Sequence, residues 1–270
     1  QGETVTCTFV SQKQGAGGGT LEAVVHLTTN ASGTVGGVAF EKGDILAYDG
    51  HNGVWSLYFD ASDVGIKNSL NDFVLMPDDS ILLAVSGRTT LIGSSGSFKL
   101  QLWDVARFVP SSLGSNTAGY FEMFIDGSDV GLTKASEKID ALARQPDGTI
   151  LLSTYGTANV PNGTSVIKAQ DEDLLAFRPS STGDNTQGTW SLAFDGSTIP
   201  GMGMEDVTGS WRDGNTGAFY LTVSNDFNVG GVTGTPGSVL IIAPSGAATN
   251  FWNAADAGFA WPIDGLHIAP

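Results

Sequence analysis

Short apolar, partly β-branched runs alternate along this chain with clusters of Gly, Asp, Ser and Pro, and the runs fall into sets that recur at nearly even spacing. One set reads Trp55-Ser-Leu-Tyr-Phe-Asp60, Phe121-Glu-Met-Phe-Ile-Asp126 and Trp190-Ser-Leu-Ala-Phe-Asp195, with a degraded copy at Phe251-Trp-Asn-Ala-Ala-Asp256. The closing aspartates are 66, 69 and 61 residues apart. A second set contains Asp44-Ile-Leu-Ala-Tyr48, Asp104-Val-Ala-Arg-Phe108, Asp173-Leu-Leu-Ala-Phe177 and Ser238-Val-Leu-Ile-Ile242, and a third contains Ala23-Val-Val-His-Leu27, Ile81-Leu-Leu-Ala-Val85, Ile150-Leu-Leu-Ser-Thr154 and Phe219-Tyr-Leu-Thr-Val223. Runs of this kind bounded by turn formers predict strands. Repeats of this length predict units that bury their apolar faces only against their neighbours.

A fourth set precedes the third by a tight turn: Asp72-Phe-Val-Leu-Met76, Ile139-Asp-Ala-Leu-Ala143 and Asp206-Val-Thr-Gly-Ser210. The turns Pro77-Asp-Asp-Ser80, Pro146-Asp-Gly-Thr149 and Arg212-Asp-Gly-Asn215 are hairpin signals. This set lacks one member, and the chain's far end supplies it. Ile263-Asp-Gly-Leu-His-Ile-Ala-Pro270 matches Ile139-Asp-Ala-Leu-Ala-Arg-Gln-Pro146 and stops where the turn would begin. Its hairpin partner is then Ala23–Leu27. The pattern predicts an all-β, four-bladed β-propeller over 21–270, closed by pairing of the C-terminal strand near the N-terminus, with residues 1–20 outside the repeat.

Within residues 1–20, Thr4-Val-Thr-Cys-Thr-Phe-Val10 alternates and reads as an extra strand, and Gln14–Gly19 as a Gly-rich linker. Two places are open to the strand. It pairs within its own chain, as an outer strand or as the hairpin partner of Ala23–Leu27. Or it adds to a sheet of a neighbouring copy through the face carrying Val5, Cys7 and Phe9. Cys7 is the only cysteine, so no disulfide forms within the chain.

Composition narrows the function. There are 28 acidic against 12 basic residues, a formal charge of −16, which argues against a nucleic-acid partner and favours cations or basic partners. No apolar run is long enough for a membrane helix. The start at Gln1 reads as a processed end with a signal peptide removed, or as an end set by cloning, and points to a secreted protein.

Candidate chemistry is sparse. Aligned through the hairpin turns, one position per unit carries Asn71, Asp140, Asp206 and Asp264, at the start of the strand that lines a propeller's channel. Such a ring would repel itself, and a hard cation such as Ca²⁺ would relieve it; the competing reading is that these side chains cap the turn into the strand. Asp60-Ala-Ser-Asp63 and Asp126-Gly-Ser-Asp129 also suggest calcium loops but lack the EF-hand spacing. Trp211 and Trp261 lie off the repeat and are the candidate sugar-stacking residues. His26, His51 and His267 are scattered, and catalytic Ser, zinc and phosphate-loop motifs are absent.

The strings Asp171-Glu-Asp-Leu-Leu, Phe194-Asp-Gly-Ser197 and Asp126-Gly-Ser-Asp-Val-Gly-Leu132 resemble the propeller-type tandem repeat of secreted bacterial surface proteins. That resemblance implies a propeller fold and an extracellular location, in a group that mostly has no assigned activity. The expected function is a secreted structural or adhesive protein of the cell surface that self-assembles, into filaments for instance, through its N-terminal strand. A lectin-like carbohydrate-binding propeller is the alternative, and a glycoside hydrolase using Asp140, Asp206 and Asp264 the third reading.

Overall fold

The computed structural model describes residues 21–269. Residues 1–20, with Val5, Cys7 and Phe9, lie outside it. Four antiparallel four-stranded blades surround one axis, and the sheet of the second is extended to six strands by Thr89–Gly93 and Gly96–Leu100, the first of these pairing parallel with the blade's outer strand. From the inside outward, the first blade is Gly265–Ala269, Val24–Thr28, Ile45–Asp49 and Val54–Phe59. The second is Leu70–Leu75, Ile81–Val85, Val105–Ser112 and Ala118–Ile125. The third is Ile139–Arg144, Ile150–Thr154, Leu174–Ser181 and Gln187–Phe194. The fourth is Val207–Arg212, Phe219–Val223, Ser238–Ile242 and Ala248–Asn253.

The ring closes as the repeat requires. The last strand pairs antiparallel with the first, Leu266 opposite Leu27 and His267 opposite His26. The other edge of Val24–Thr28 pairs with Ile45–Asp49. Both edges of that strand are therefore occupied by described strands.

Each blade also carries a short hairpin between its second and third strands, which the repeat did not announce. The four are Gly33–Val35 with Val38–Phe40, Thr89–Gly93 with Gly96–Leu100, Ala158–Asn162 with Ser165–Ala169, and Phe227–Val229 with Val232–Gly234. The first and last turn on paired glycines with positive φ, Gly36-Gly37 and Gly230-Gly231, as a tight hairpin of the right twist demands.

Two repeated polar devices explain the repeated acids. The Asp that opens each third strand folds its own turn and grips the turn beyond the outer strand. Asp44 accepts from the N–H groups of Glu41 and Ala61, Asp104 from Gln101 and Gly127, and Asp173 from Gln170 and Gly196. In the fourth blade Ser238 keeps only the first half of this bond, to Thr235 N–H.

The Asp-x-x-Asp turns join successive blades. Asp60 N–H donates to Thr117 Oγ1 while Thr117 N–H donates to the Asp63 carboxylate. Asp126, Thr186 and Asp129 repeat this clasp between the second and third blades. The remaining oxygens of Asp60 and Asp126 cap Ser62 and Ser128. One carboxylate oxygen of each of these acids is thus engaged with the protein's own N–H and O–H groups.

The junction of the fourth and first blades has no such clasp and is packed with aromatic rings instead. Phe40, Tyr48, Trp55, Trp252, Phe259 and Trp261 share one core cluster there. Trp55 Nε1 donates across the seam to Ala257 O, as Trp190 Nε1 does to Val130 O between the third and second blades.

Candidate functional site

Three of the four inner strands bulge one residue past their start, and in the first blade Asp264 directly precedes the strand. Register shifts fall at Asn71, Asp140 and Thr208, between Leu70 and Asp72, Ile139 and Ala141, and Val207 and Gly209. A bulge turns a side chain off the sheet's alternation and re-aims it, here toward the axis. Asn71, Asp140, Asp206 and Asp264 all line one axial cavity of about 250 Å³.

The expected ring therefore exists, with one change of register. Thr208 holds the bulge position in the fourth blade. Asp206 lies two residues earlier, in register with Lys138 and Ser69: Ser224 N–H bonds Asp206 O as Tyr155 N–H bonds Lys138 O and Ser86 N–H bonds Ser69 O. The turn after Arg212 explains the misalignment, since Asp213-Gly214 begins one residue past the paired Arg212, whereas Asp147-Gly148 begins three residues past the paired Arg144.

The members of the ring are not equivalent. Asn71 is a strut: its amide donates to Val85 O and, across the blade boundary, to Ile139 O at 2.6 Å. Asp140 is 5% exposed, and neither carboxylate oxygen has a hydrogen-bond partner in the protein. One oxygen of Asp206 is likewise buried and unpartnered. Burial first, then the nearby Asp206 charge, pushes Asp140 well above the usual carboxylate range. Burial raises Asp206 to about 6, with the Asp171 charge adding to it, and burial alone raises Asp264 to about 6. The Lys138 ammonium opposes all three shifts. It sits 4.4 Å over the Tyr155 ring and forms no ion pair with these acids.

One residue deeper, a single carboxylate closes the axis. Asp72 is fully buried and accepts four backbone N–H groups, one from each blade: Phe73 at 2.7 Å, Leu142 at 2.6 Å, Ser210 at 3.2 Å and Leu266 at 2.9 Å. The equivalent positions are Ala141, Gly209 and Gly265. A Cβ on Gly265 would stand 2.7 Å from the Asp72 carboxylate, so smallness there makes room for the shared acid. Burial drives the Asp72 carboxyl upward and the four N–H donors hold it back.

As to metal, among the described residues no group of three His, Cys, Asp or Glu side chains converges closely enough to hold an ion. The carboxylates share a cavity without forming a coordination shell.

Both tryptophan candidates lie against the seam. Trp211 and Trp261 are partly buried members of the seam cluster. Trp211 stands edge-on to Tyr220 at 5.0 Å, and Trp261 edge-on to Phe40 at 5.1 Å with its ring over Gly33. They lie off the repeat because the seam between chain ends is filled by rings. His26 and His267 face one another across the closing pair, 6.1 Å apart, with Tyr58 edge-on to His26. Burial lowers them to about 4 and about 3, so both are neutral packing groups near neutral pH.

The outer strands form the second candidate surface. Val54–Phe59, Gln187–Phe194 and Ala248–Asn253 contain no charged residue, and among the described residues ladder pairing engages only their inner edges. The single bridge Phe59–Gly114 is the exception. Val54 and Leu192 are exposed on two of them.

The chain is a four-bladed β-propeller. No family model and no curated protein matches it. Among solved structures it is similar to virginiamycin B lyase from Staphylococcus aureus, at 9% identity over 84% of this chain and 73% of that one, with a TM-score of 0.34. It is also similar to the β-propeller domain of Cps50 (Swd1) from Myceliophteria thermophila, at 8% identity over 82% and 84%, TM-score 0.34. YCF48 from Cyanidioschyzon merolae follows at 10% identity over 85% of each chain, TM-score 0.30. At these scores the likeness bears on neither ligand nor activity.

Proposed function

We propose that this propeller is a non-catalytic structural or adhesive protein of the extracellular space, which associates with further copies when residues 4–10 of one chain add to an outer blade edge of another. The observation that carries this reading is an outer edge that in three blades has no ladder partner among the described residues, the inserted hairpin packing beside it without pairing. Proteins that remain single place Lys, Pro or inward charges on edge strands. This chain has a net charge of −16, yet three of its four outer strands carry no charge at all. The added strand is available, since Val24–Thr28 is paired on both sides and leaves residues 1–20 unused by ring closure. Backbone bonds would give affinity, and Val5, Cys7 and Phe9 on one face of the added strand would choose the edge. Acidity and the resemblance of the repeat to secreted bacterial surface proteins support the location.

The test is sedimentation of the full chain against a chain lacking residues 1–19. The shortened chain is expected to keep its melting transition and run as a monomer, while the full chain associates. Equal sizes for the two chains would contradict the reading, as would loss of folding on deletion. Substituting Val5→Lys and Phe9→Lys in the full chain is expected to reproduce the monomer.

A further inference from the structure

The axial cavity stands apart from strand exchange, and its chemistry is specific enough to name a ligand class. We propose that it binds a small hydroxylated molecule bearing a primary ammonium group, of amino-sugar size, with Asp140 as the principal counter-ion.

The first observation is Asp140 itself. A buried carboxylate with two unpartnered oxygens is costly, and side chains of this kind are kept where something charged meets them. Asp206 adds a second buried oxygen without a partner on the same wall. The second observation is size. At about 250 Å³ the cavity exceeds the needs of a bare ion. It falls just under the roughly 300–1,000 Å³ of sites for drug-sized ligands. The third is the rest of the wall. Ser69, Ser86, Thr208 and Ser224 bring hydroxyls, which pair with hydroxyls or with N–H donors, and Asn30 and Tyr155 are exposed at the rim.

Lys138 shows what the wall favours. Its ammonium is the only basic group lining the cavity, and it lies over the Tyr155 ring and lowers the proton affinity of all three acids. It is a resident, imperfect counter-ion, too far from each carboxylate for an ion pair. A second ammonium entering from solvent would reach Asp140 directly. Metal is the weaker guest, because the acids do not converge into a coordination shell.

Isothermal titration of the full chain with glucosamine, N-acetylglucosamine and calcium chloride tests the inference. Glucosamine is expected to bind, and N-acetylglucosamine, which lacks the charge, to bind at least about tenfold more weakly. Asp140→Asn is expected to remove glucosamine binding, with the melting curve confirming a folded chain. Lys138→Met is expected to tighten glucosamine binding, a gain that misfolding cannot imitate. No glucosamine heat at about 10 mM would overturn the inference. Equal binding of the two sugars would overturn it too, as would binding unchanged by Asp140→Asn or weakened by Lys138→Met. A calcium response without a glucosamine response would assign the carboxylates to a metal instead. The chain lacking residues 1–19 is expected to bind glucosamine as the full chain does, so failure of the strand-exchange reading leaves this result untouched.

Discussion

Asp72 shows how one residue can hold a ring. Its carboxylate takes a backbone N–H from every blade, so each inner strand is tied to the same two oxygens. Asp72→Asn would replace one acceptor oxygen with an NH₂ group facing N–H donors that already lack alternatives. The expected loss is about 3 kcal/mol or more in urea unfolding, and a change under about 0.5 kcal/mol would contradict the role. The sequence placed Asp72 in an inner strand but drew attention to its neighbour Asn71. The overlooked signal was a lone acid whose counterparts are Ala141, Gly209 and Gly265. That contrast is visible only once the strand registers are known, and the early Asp213-Gly214 of the turn after Arg212 hid the register of the fourth blade.

Among the elements, the joints between blades are unequal. The first two carry the Thr117 and Thr186 clasps, and the seam between the fourth and first carries aromatic rings. Thr117→Ala and Thr186→Ala are each expected to cost about 1–2 kcal/mol by urea unfolding, since each strands the half-buried N–H of Asp60 or Asp126 and the Gly114 or Gly183 carbonyl. Unchanged midpoints would contradict the clasp. The strands and the closing pair were legible because apolar runs, Asp-Gly turns and the Ile263–Pro270 match are local signals. The four inserted hairpins were not: runs such as Gly33-Thr-Val-Gly-Gly-Val-Ala-Phe40 are short and Gly-rich, so they read as loops. Trp211 and Trp261 stood out from the repeat for a related reason. A seam that joins distant parts of the chain departs from the repeat, and departure from the repeat looks like a site.

For the whole molecule, acid affects two groups of residues in opposite senses. Asp44, Asp206 and Asp264 are raised to about 6 in the fold. Their charged forms cost stability above that pH, and the cost is relieved as pH falls through 6 toward the ordinary value. His26 and His267 are lowered to about 4 and about 3. They cost nothing above their ordinary value near 6.5 and cost progressively more as pH falls below it, because the unfolded chain takes the protons first. The native chain is expected to show a shallow calorimetric profile between about pH 7 and pH 5. The double variant His26→Leu, His267→Leu, stripped of the opposing group, is expected to gain stability steadily over that range. A variant whose melting temperature falls on acidification would contradict the raised carboxyls.

All of this rests on the meeting of the two chain ends. His26 and His267 face each other across an antiparallel pair, where Cα atoms lie about 4.5–5.5 Å apart, within the range a disulfide spans. The measurement is mild oxidation of a chain carrying His26→Cys, His267→Cys and Cys7→Ser. A closed ring predicts a monomeric, intramolecular disulfide that forms in the folded state, raises the melting temperature and is lost on reduction. Two thiols that stay free in the folded protein, or that join only between chains, would show that the ends do not meet.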